Sequence, residues 1–352
     1  MATRRSSPLH VRVRRRAGAA LIDSFFRGMS AVGRLHPDAR PERHGVQIVR
    51  DVPYLPSDRR EHRLDVYRPA RANGPLPVVV YIHGGGFRIL SKDTHWIMAL
   101  AFARRGFLVF NLSYRLAPRH RFPAALCDVM AAWQWVLDNA QSYGGDLESV
   151  VVAGESAGAN LATSLTLATC SRRDEPWARA VFERQHVPCA VIPACGILQV
   201  SDTERFARRE RPVSPFILDR LSEVTDAYLG GAQAHELADP LLLLENGLEL
   251  DRPLPPFFMP VGTRDPLVDD TRRMEAALAS RGVQCEARYY SGEVHAFHAL
   301  LWRPNALQCW RDTYAFLERT LPRPCEPACA DAEISSLLRL PLPSMRRRAA
   351  SE

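Results

Sequence analysis

The chain has 352 residues, of which 46% are hydrophobic and 24% charged, enough to bury a real core and too apolar for a disordered chain. No apolar run approaches the roughly 20 residues that a membrane-spanning helix needs, which excludes a helical integral membrane protein. The formal net charge is +7, but residues 1–44 hold ten arginines against Asp23, Asp38 and Glu42, so the body from residue 45 onward is neutral. Lys92 is the only lysine, and no basic strip interleaved with aromatics occurs in the neutral body, which argues against nucleic acid as a partner. The eight cysteines are scattered without a secreted-framework spacing and read mostly as reduced core residues. Cys325 and Cys329 come closest to a metal half-site, but they sit in a Pro-rich tail with no nearby histidine, so no metal is expected.

Residues 1–44 read as a basic helical segment with no convincing export signal, so the expected location is the cytoplasm. Between 21 and 35, Leu21, Ile22, Phe25, Phe26, Met29 and Val32 recur at helical intervals and form one apolar stripe. The favoured reading docks this stripe on the protein's own body; weak peripheral contact with an anionic membrane is the other reading. From residue 45 short β-rich runs alternate with helical stretches, the pattern of parallel strands joined by crossover helices. Strands are expected at 46–54, 62–67, 77–82, 107–112, 150–153, 187–193, 257–261 and 287–290, the first two as an antiparallel start. Pro260 is awkward in a central strand. Helices are expected after a Ser91 cap, over 126–137, 160–169 and 272–280, and along the stripe Leu307, Trp310, Tyr314 and Leu317. Residues 197–245 interrupt the alternation with a polar, helix-prone insertion between core parts 45–196 and 246–321. Residues 322–352 read as a loosely attached Pro- and Arg-rich tail whose Arg346–Arg348 run is solvated charge.

Two glycine motifs carry the chemistry. Gly154-Glu155-Ser156-Ala157-Gly158 matches G-x-S-x-G at a strand–turn–helix junction, a turn that holds a serine hydroxyl exposed at a sheet edge. It also puts the Ala157 N–H at a positive helix terminus. His83-Gly84-Gly85-Gly86 follows the 77–82 strand, and its glycines let backbone N–H groups approach a developing oxyanion. A serine hydroxyl needs a base with pKa near 7 and a carboxylate to hold that base in the right tautomer. Asp265 follows the 257–261 strand and His295 follows the 287–290 strand, both at the carboxyl ends where open α/β sheets put their sites. Asp269, Asp270 and Glu293 are rivals for the acid, and His298 for the base.

These segments together resemble the hormone-sensitive lipase-like family IV esterases of the α/β-hydrolase superfamily. The resemblance runs from Leu64 to Leu321 through five ordered motifs: His83 to Phe87, Tyr114-Arg115-Leu116-Ala117-Pro118 with Phe122-Pro123-Ala124-Ala125, Gly154 to Gly158, Asp265-Pro266-Leu267, and His295 to His298. It implies a mostly parallel sheet with helices on both faces and a helical cap built from residues 1–44 and 197–245. It further implies a Ser156–Asp265–His295 triad and an oxyanion hole at Gly84, Gly85, Gly86 and Ala157, with Gly85, Gly86 and Ala157 as its donors and His83 and Glu155 supporting the motifs. The implied substrates are short-to-medium acyl esters, with no cofactor. The same triad would serve an amidase, lactonase or acyltransferase, and the same fold a non-catalytic ligand receptor. Three departures stand out: Glu155 where the family commonly has Asp, Ala159 in place of a frequent Gly, and Arg119 where Glu is usual. Oligomeric state is not legible.

Overall fold

The computed structural model describes residues 9–209, 213–230 and 236–322, without the side chains of 9–16 and 19. The tail beyond Pro322, with Cys325, Cys329 and Arg346–Arg348, lies outside the described residues. Eight strands form one sheet in the order β1-β2-β4-β3-β5-β6-β7-β8. β1 (Val46–Pro53) and β2 (Arg63–Pro69) make the antiparallel start, β2 pairing antiparallel with β4 (Leu108–Leu112). All later neighbours are parallel: β3 (Leu76–Ile82), β5 (Gly145–Glu155), β6 (Ala190–Ala194), β7 (Phe257–Gly262) and β8 (Cys285–Tyr290).

The continuous apolar runs are explained by cover on both faces. Val78, Val80 and Ile82 face a core shared with α3 (Ala124–Asn139), α4 (Ala157–Cys170) and α5 (Pro176–Glu183). Val79 and Tyr81 face the opposite core with α2 (Trp96–Arg104) and α9 (Pro304–Thr320). The insertion contributes α6 (Pro215–Leu229) and the short α7 (Pro240–Glu245), and α8 (Val268–Ala279) covers β7 and β8. No helix among the described residues is long and apolar enough to cross a membrane.

Several boundaries differ from the sequence expectation. Ser91 does not cap α2: its carbonyl accepts Thr94 N–H in a preceding turn, and His95 occupies the cap position. β5 begins five residues before Val150, because Gly145 and Asp146 pair with Leu76 and Pro77. β6 starts at Ala190 rather than 187. Pro260 is tolerated because its carbonyl side faces β6, accepting Cys195 N–H at 3.0 Å, and that edge carries a single bridge pair, Val191 with Phe257. The missing N–H therefore breaks no continuous ladder.

The larger correction concerns α1 (Leu9–Arg34). The helix forms, but its apolar stripe is not the docked face: Leu21, Phe25, Phe26, Met29 and Val32 are exposed. Polar groups make the contact with the body instead. Asp23 accepts Leu90 N–H at 3.0 Å, Ser30 Oγ accepts Trp96 Nε1–H at 3.0 Å, and Arg34 donates to the Asp93 carbonyl at 2.7 Å. Periodicity defines a stripe, not the side on which it is mounted.

Candidate active site

Four loops at the carboxyl edge of the sheet converge, following β3, β5, β7 and β8. Ser156 sits between β5 and α4 at φ 54°, ψ −114°, a left-handed conformation costing a non-glycine residue about 1–3 kcal/mol. The flanking glycines are steric necessities. A Cβ on Gly158 would collide with the Ile82 carbonyl oxygen, and one on Gly154 would stand 2.6 Å from the Gly158 carbonyl carbon. Ser156 N–H donates to the Ala194 carbonyl (2.9 Å), and the Ser156 carbonyl accepts Asn160 N–H (3.2 Å) and Ile197 N–H (3.3 Å). Asn160 Nδ2 in turn donates to the Ile197 and Ala238 carbonyls, both at 2.9 Å, tying the insertion to the turn. The serine hydroxyl makes no capping bond to α4.

His295 Nδ1 lies 2.8 Å from Asp265 Oδ2. A carboxylate only accepts, so Nδ1 carries the proton, and in the neutral ring Nε2 is left with its lone pair. Asp265 is positioned by its own loop, its N–H donating to the Gly262 carbonyl and its Oδ1 accepting Leu267 N–H at 2.8 Å. The two loops approach closely at Gly262, where a Cβ would strike the Glu293 carbonyl. Burial lowers the imidazole pKa, the Asp265 carboxylate and after it Cys195 raise it, and the net result is well above the ordinary histidine value. No hydrogen bond joins His295 to the Ser156 hydroxyl in this structure. His295 and Asp265 meet at Cys195, one residue past the Ala194 that anchors Ser156, with Sγ within 4.8 Å of a ligand atom of each. Among the described residues, that trio is the group placed to hold a cation, and a cation there would have to break the Asp265–His295 bond.

The glycine loop turns at Gly85 (φ 107°) and Gly86 (φ 58°). The Gly84 nitrogen lies 3.3 Å from His95 Nε2, which donates to the Glu155 carboxylate, and the amides of Gly85, Gly86 and Ala157 donate to no group among the described residues. His83 is fully buried and stacked on Tyr114 with centroids 4.1 Å apart, its Nδ1–H donating to the Gly84 carbonyl at 2.7 Å. Burial pushes its imidazole down to about 3, so it stays neutral. Helix α6 closes over the loop. Tyr228 stacks on Phe87 at 3.7 Å, Glu223 pairs with Arg88, and Val224 Cγ2 lies 2.8 Å from where a Gly86 Cβ would stand.

Each rival is engaged elsewhere. Asp269 pairs with Arg209 and Arg272, Asp270 with Arg205, and Glu293 with Arg303. His298 Nε2 contacts Glu155 Oε2 at 2.9 Å, and the other oxygen of Glu155 contacts His95 Nε2 at 2.9 Å. Sequence reading did not single out His95, Cys195 or Asn160. Asn160 lies one helical turn after Ser156, which is a usable signal; the other two are joined to the site only through tertiary contacts.

A family model described as alpha/beta hydrolase fold matches residues 79–299. Carboxylesterase NlhH of Mycobacterium tuberculosis is 33% identical over 86% of this chain and 90% of its own length. Acetyl esterase of Salmonella schwarzengrund is 30% identical over 62% of this chain and 65% of its own. In structure the chain is similar to esterase B of Lactobacillus rhamnosis, solved with a tributyrin phosphonate inhibitor (TM-score 0.71, 20% identity, 90% of this chain and 96% of that one). It is also similar to a thermostable carboxylesterase cloned from a metagenomic library (TM-score 0.69, 23% identity, 88% and 98%). With the ordered motifs now on one sheet edge, the chain belongs to the α/β-hydrolase family, in its hormone-sensitive lipase-like branch.

Proposed function

We propose that the protein is a serine carboxylesterase acting on short-to-medium acyl esters. Ser156 Oγ attacks the ester carbonyl while its proton passes to His295 Nε2, and Asp265 stabilises the imidazolium. The tetrahedral oxyanion accepts hydrogen bonds from the amides of Gly85, Gly86 and Ala157, each worth roughly 2.7–4 kcal/mol in such a role. Collapse expels the alkoxide, which takes the proton from His295, and leaves an acyl-enzyme. Water then gives its proton to His295, attacks the acyl carbon and releases the acid, returning the proton to Ser156.

The observation that carries this reading is the Nδ1-protonated His295 held at 2.8 Å by Asp265 on the sheet edge that also carries the strained Ser156 turn. The curated relatives, a carboxylesterase and an acetyl esterase, support ester substrates. Tyr228 and Val224 of α6, packed on Phe87 and against Gly86 of the glycine loop, support a short acyl group. The test is hydrolysis of p-nitrophenyl esters from acetate to palmitate by wild type and Ser156→Ala. Turnover is expected to peak at short-to-medium chains and to fall at least about a thousandfold in the variant. Wild-type rates in Ser156→Ala, or a folded wild type inert on every ester, would overturn the reading.

A further inference from the structure

Helix α1 is mounted with its polar side on the protein and its apolar side in water. Besides the hydrogen bonds from Asp23, Ser30 and Arg34, the Arg34 guanidinium lies 5.6 Å from the Trp96 ring centroid, and Gly33 packs on the same indole. The outward stripe runs Leu21 (73% exposed), Phe25 (59%), Met29 (39%) and Val32 (68%), ending at Leu35 (82%). Eleven large apolar side chains are exposed among the described residues, and with Phe26 six of them lie between 21 and 35. A concentration of this kind on one helix marks a docking surface rather than scattered exposure. The patch has a neighbour on the cap: Phe216 of α6 is 64% exposed, and Arg220, which lies over its ring at 5.7 Å, packs against Gly18 of α1.

Charge selects the occupant. Residues 1–44 carry the whole +7 excess, with Arg4, Arg5, Arg12, Arg14, Arg15 and Arg16 directly before the stripe. A second copy of this chain would bring an equally basic segment against the first. An anionic surface would be drawn to it, and a basic segment joined to an apolar helical face is the pattern of an interfacial helix. We propose that α1 docks the protein on an anionic phospholipid bilayer, seating Leu21, Phe25, Met29 and Val32 at the headgroup–acyl boundary. Asp23 holds Leu90, one residue past Ile89, whose N–H bonds to the Gly85 carbonyl. The docked helix therefore lies against the glycine loop, within about one helix diameter, about 10 Å, of it. Resting on the esterase reading above, this makes the substrates esters presented at a lipid surface.

The experiment is co-sedimentation of the full chain with phosphatidylcholine vesicles and with vesicles containing phosphatidylglycerol, for wild type and Phe25→Asp/Met29→Asp. Hydrolysis of a soluble short-chain ester is measured in parallel without vesicles. Wild type is expected to bind the anionic vesicles at least about tenfold better than the neutral ones and to release as salt rises. The double variant is expected to lose binding and keep wild-type turnover of the soluble ester. Wild type that stays in the supernatant with anionic vesicles overturns the proposal, as does a double variant that sediments like wild type. A wild-type dimer that the double variant converts to monomer, without vesicle binding, overturns it in favour of a contact between copies. Vesicle binding without any ester turnover would leave the docking standing and remove the esterase reading.

Discussion

The Asp265 carboxylate is 2% exposed and pairs with the ring nitrogen of His295 that the proposed mechanism does not use. Its charge is the largest of the influences, Cys195 among them, that together outweigh burial and raise the imidazole pKa. Because the base works only when neutral, the acid limb of kcat/KM should lie above the ordinary histidine value of about 6.5. Asp265→Asn removes the charge, and its amide can donate to Nδ1, which favours the tautomer with Nε2 protonated. The limb should move to lower pH, and kcat should fall by about four orders of magnitude. A pH–rate profile of both proteins checks this; an unshifted limb would mean that another carboxylate sets the base. The positions of Ser156, Asp265 and His295 on one sheet edge were legible because each follows a strand end in a fixed chain order. Cys195 was not, because nothing local in Ala194-Cys195-Gly196 records that His295 packs beside it.

At the scale of elements, legibility tracked burial. β3 and β4 were read nearly to their bounds because cover on both faces leaves a continuous apolar run. The mounting of α1 was misread because an apolar stripe has the same period whether it meets protein or water. The β1–β2 corner shows what pattern reading passes over. The register shifts between Val49 and Val52, and Asp51 takes φ 56° there. Its N–H bonds Asp65 Oδ1 at 2.9 Å, and the same oxygen accepts Lys92 Nζ at 2.8 Å. Burial disfavours the ammonium, but Asp65 and Asp51 more than compensate and raise the Lys92 pKa. Lys92→Met would leave the buried Asp65 with the Asp51 N–H and, as its ion-pair partner among the described residues, Arg50 at 3.7 Å. Stability should fall by about 3 kcal/mol, the low end for a broken buried pair. Pairing it with Asp65→Asn should recover part of the loss. Denaturant midpoints decide it, and a Lys92→Met midpoint equal to wild type would show that the cluster contributes nothing.

Across the whole molecule the site is assembled by joining elements far apart in sequence, and Glu155 is where three of them meet. It ends β5 beside Ser156, contacts His95 at the head of α2, and contacts His298 just past the His295 loop. A Glu here, where the family commonly has Asp, has one more methylene with which to reach two imidazoles. Burial would raise this carboxyl's pKa, but the two histidines hold it well below the ordinary 4.5. A depressed pKa in the folded state contributes stability above the unfolded value, and that stability is lost as pH falls through the folded value. Glu155→Gln should therefore cost about 3 kcal/mol at neutral pH and flatten the decline in stability below pH 4.5 that wild type shows. Glu155→Asp should fall between the two, since a shorter side chain satisfies one histidine better than both. Because His298 and His95 brace the catalytic and glycine loops, kcat should drop in Glu155→Gln with little change in KM. Urea unfolding from neutral to acid pH, alongside steady-state kinetics, tests both. If Glu155→Gln matched wild type in stability and acid sensitivity, the bridge would not be what holds the two loops to the nucleophile turn.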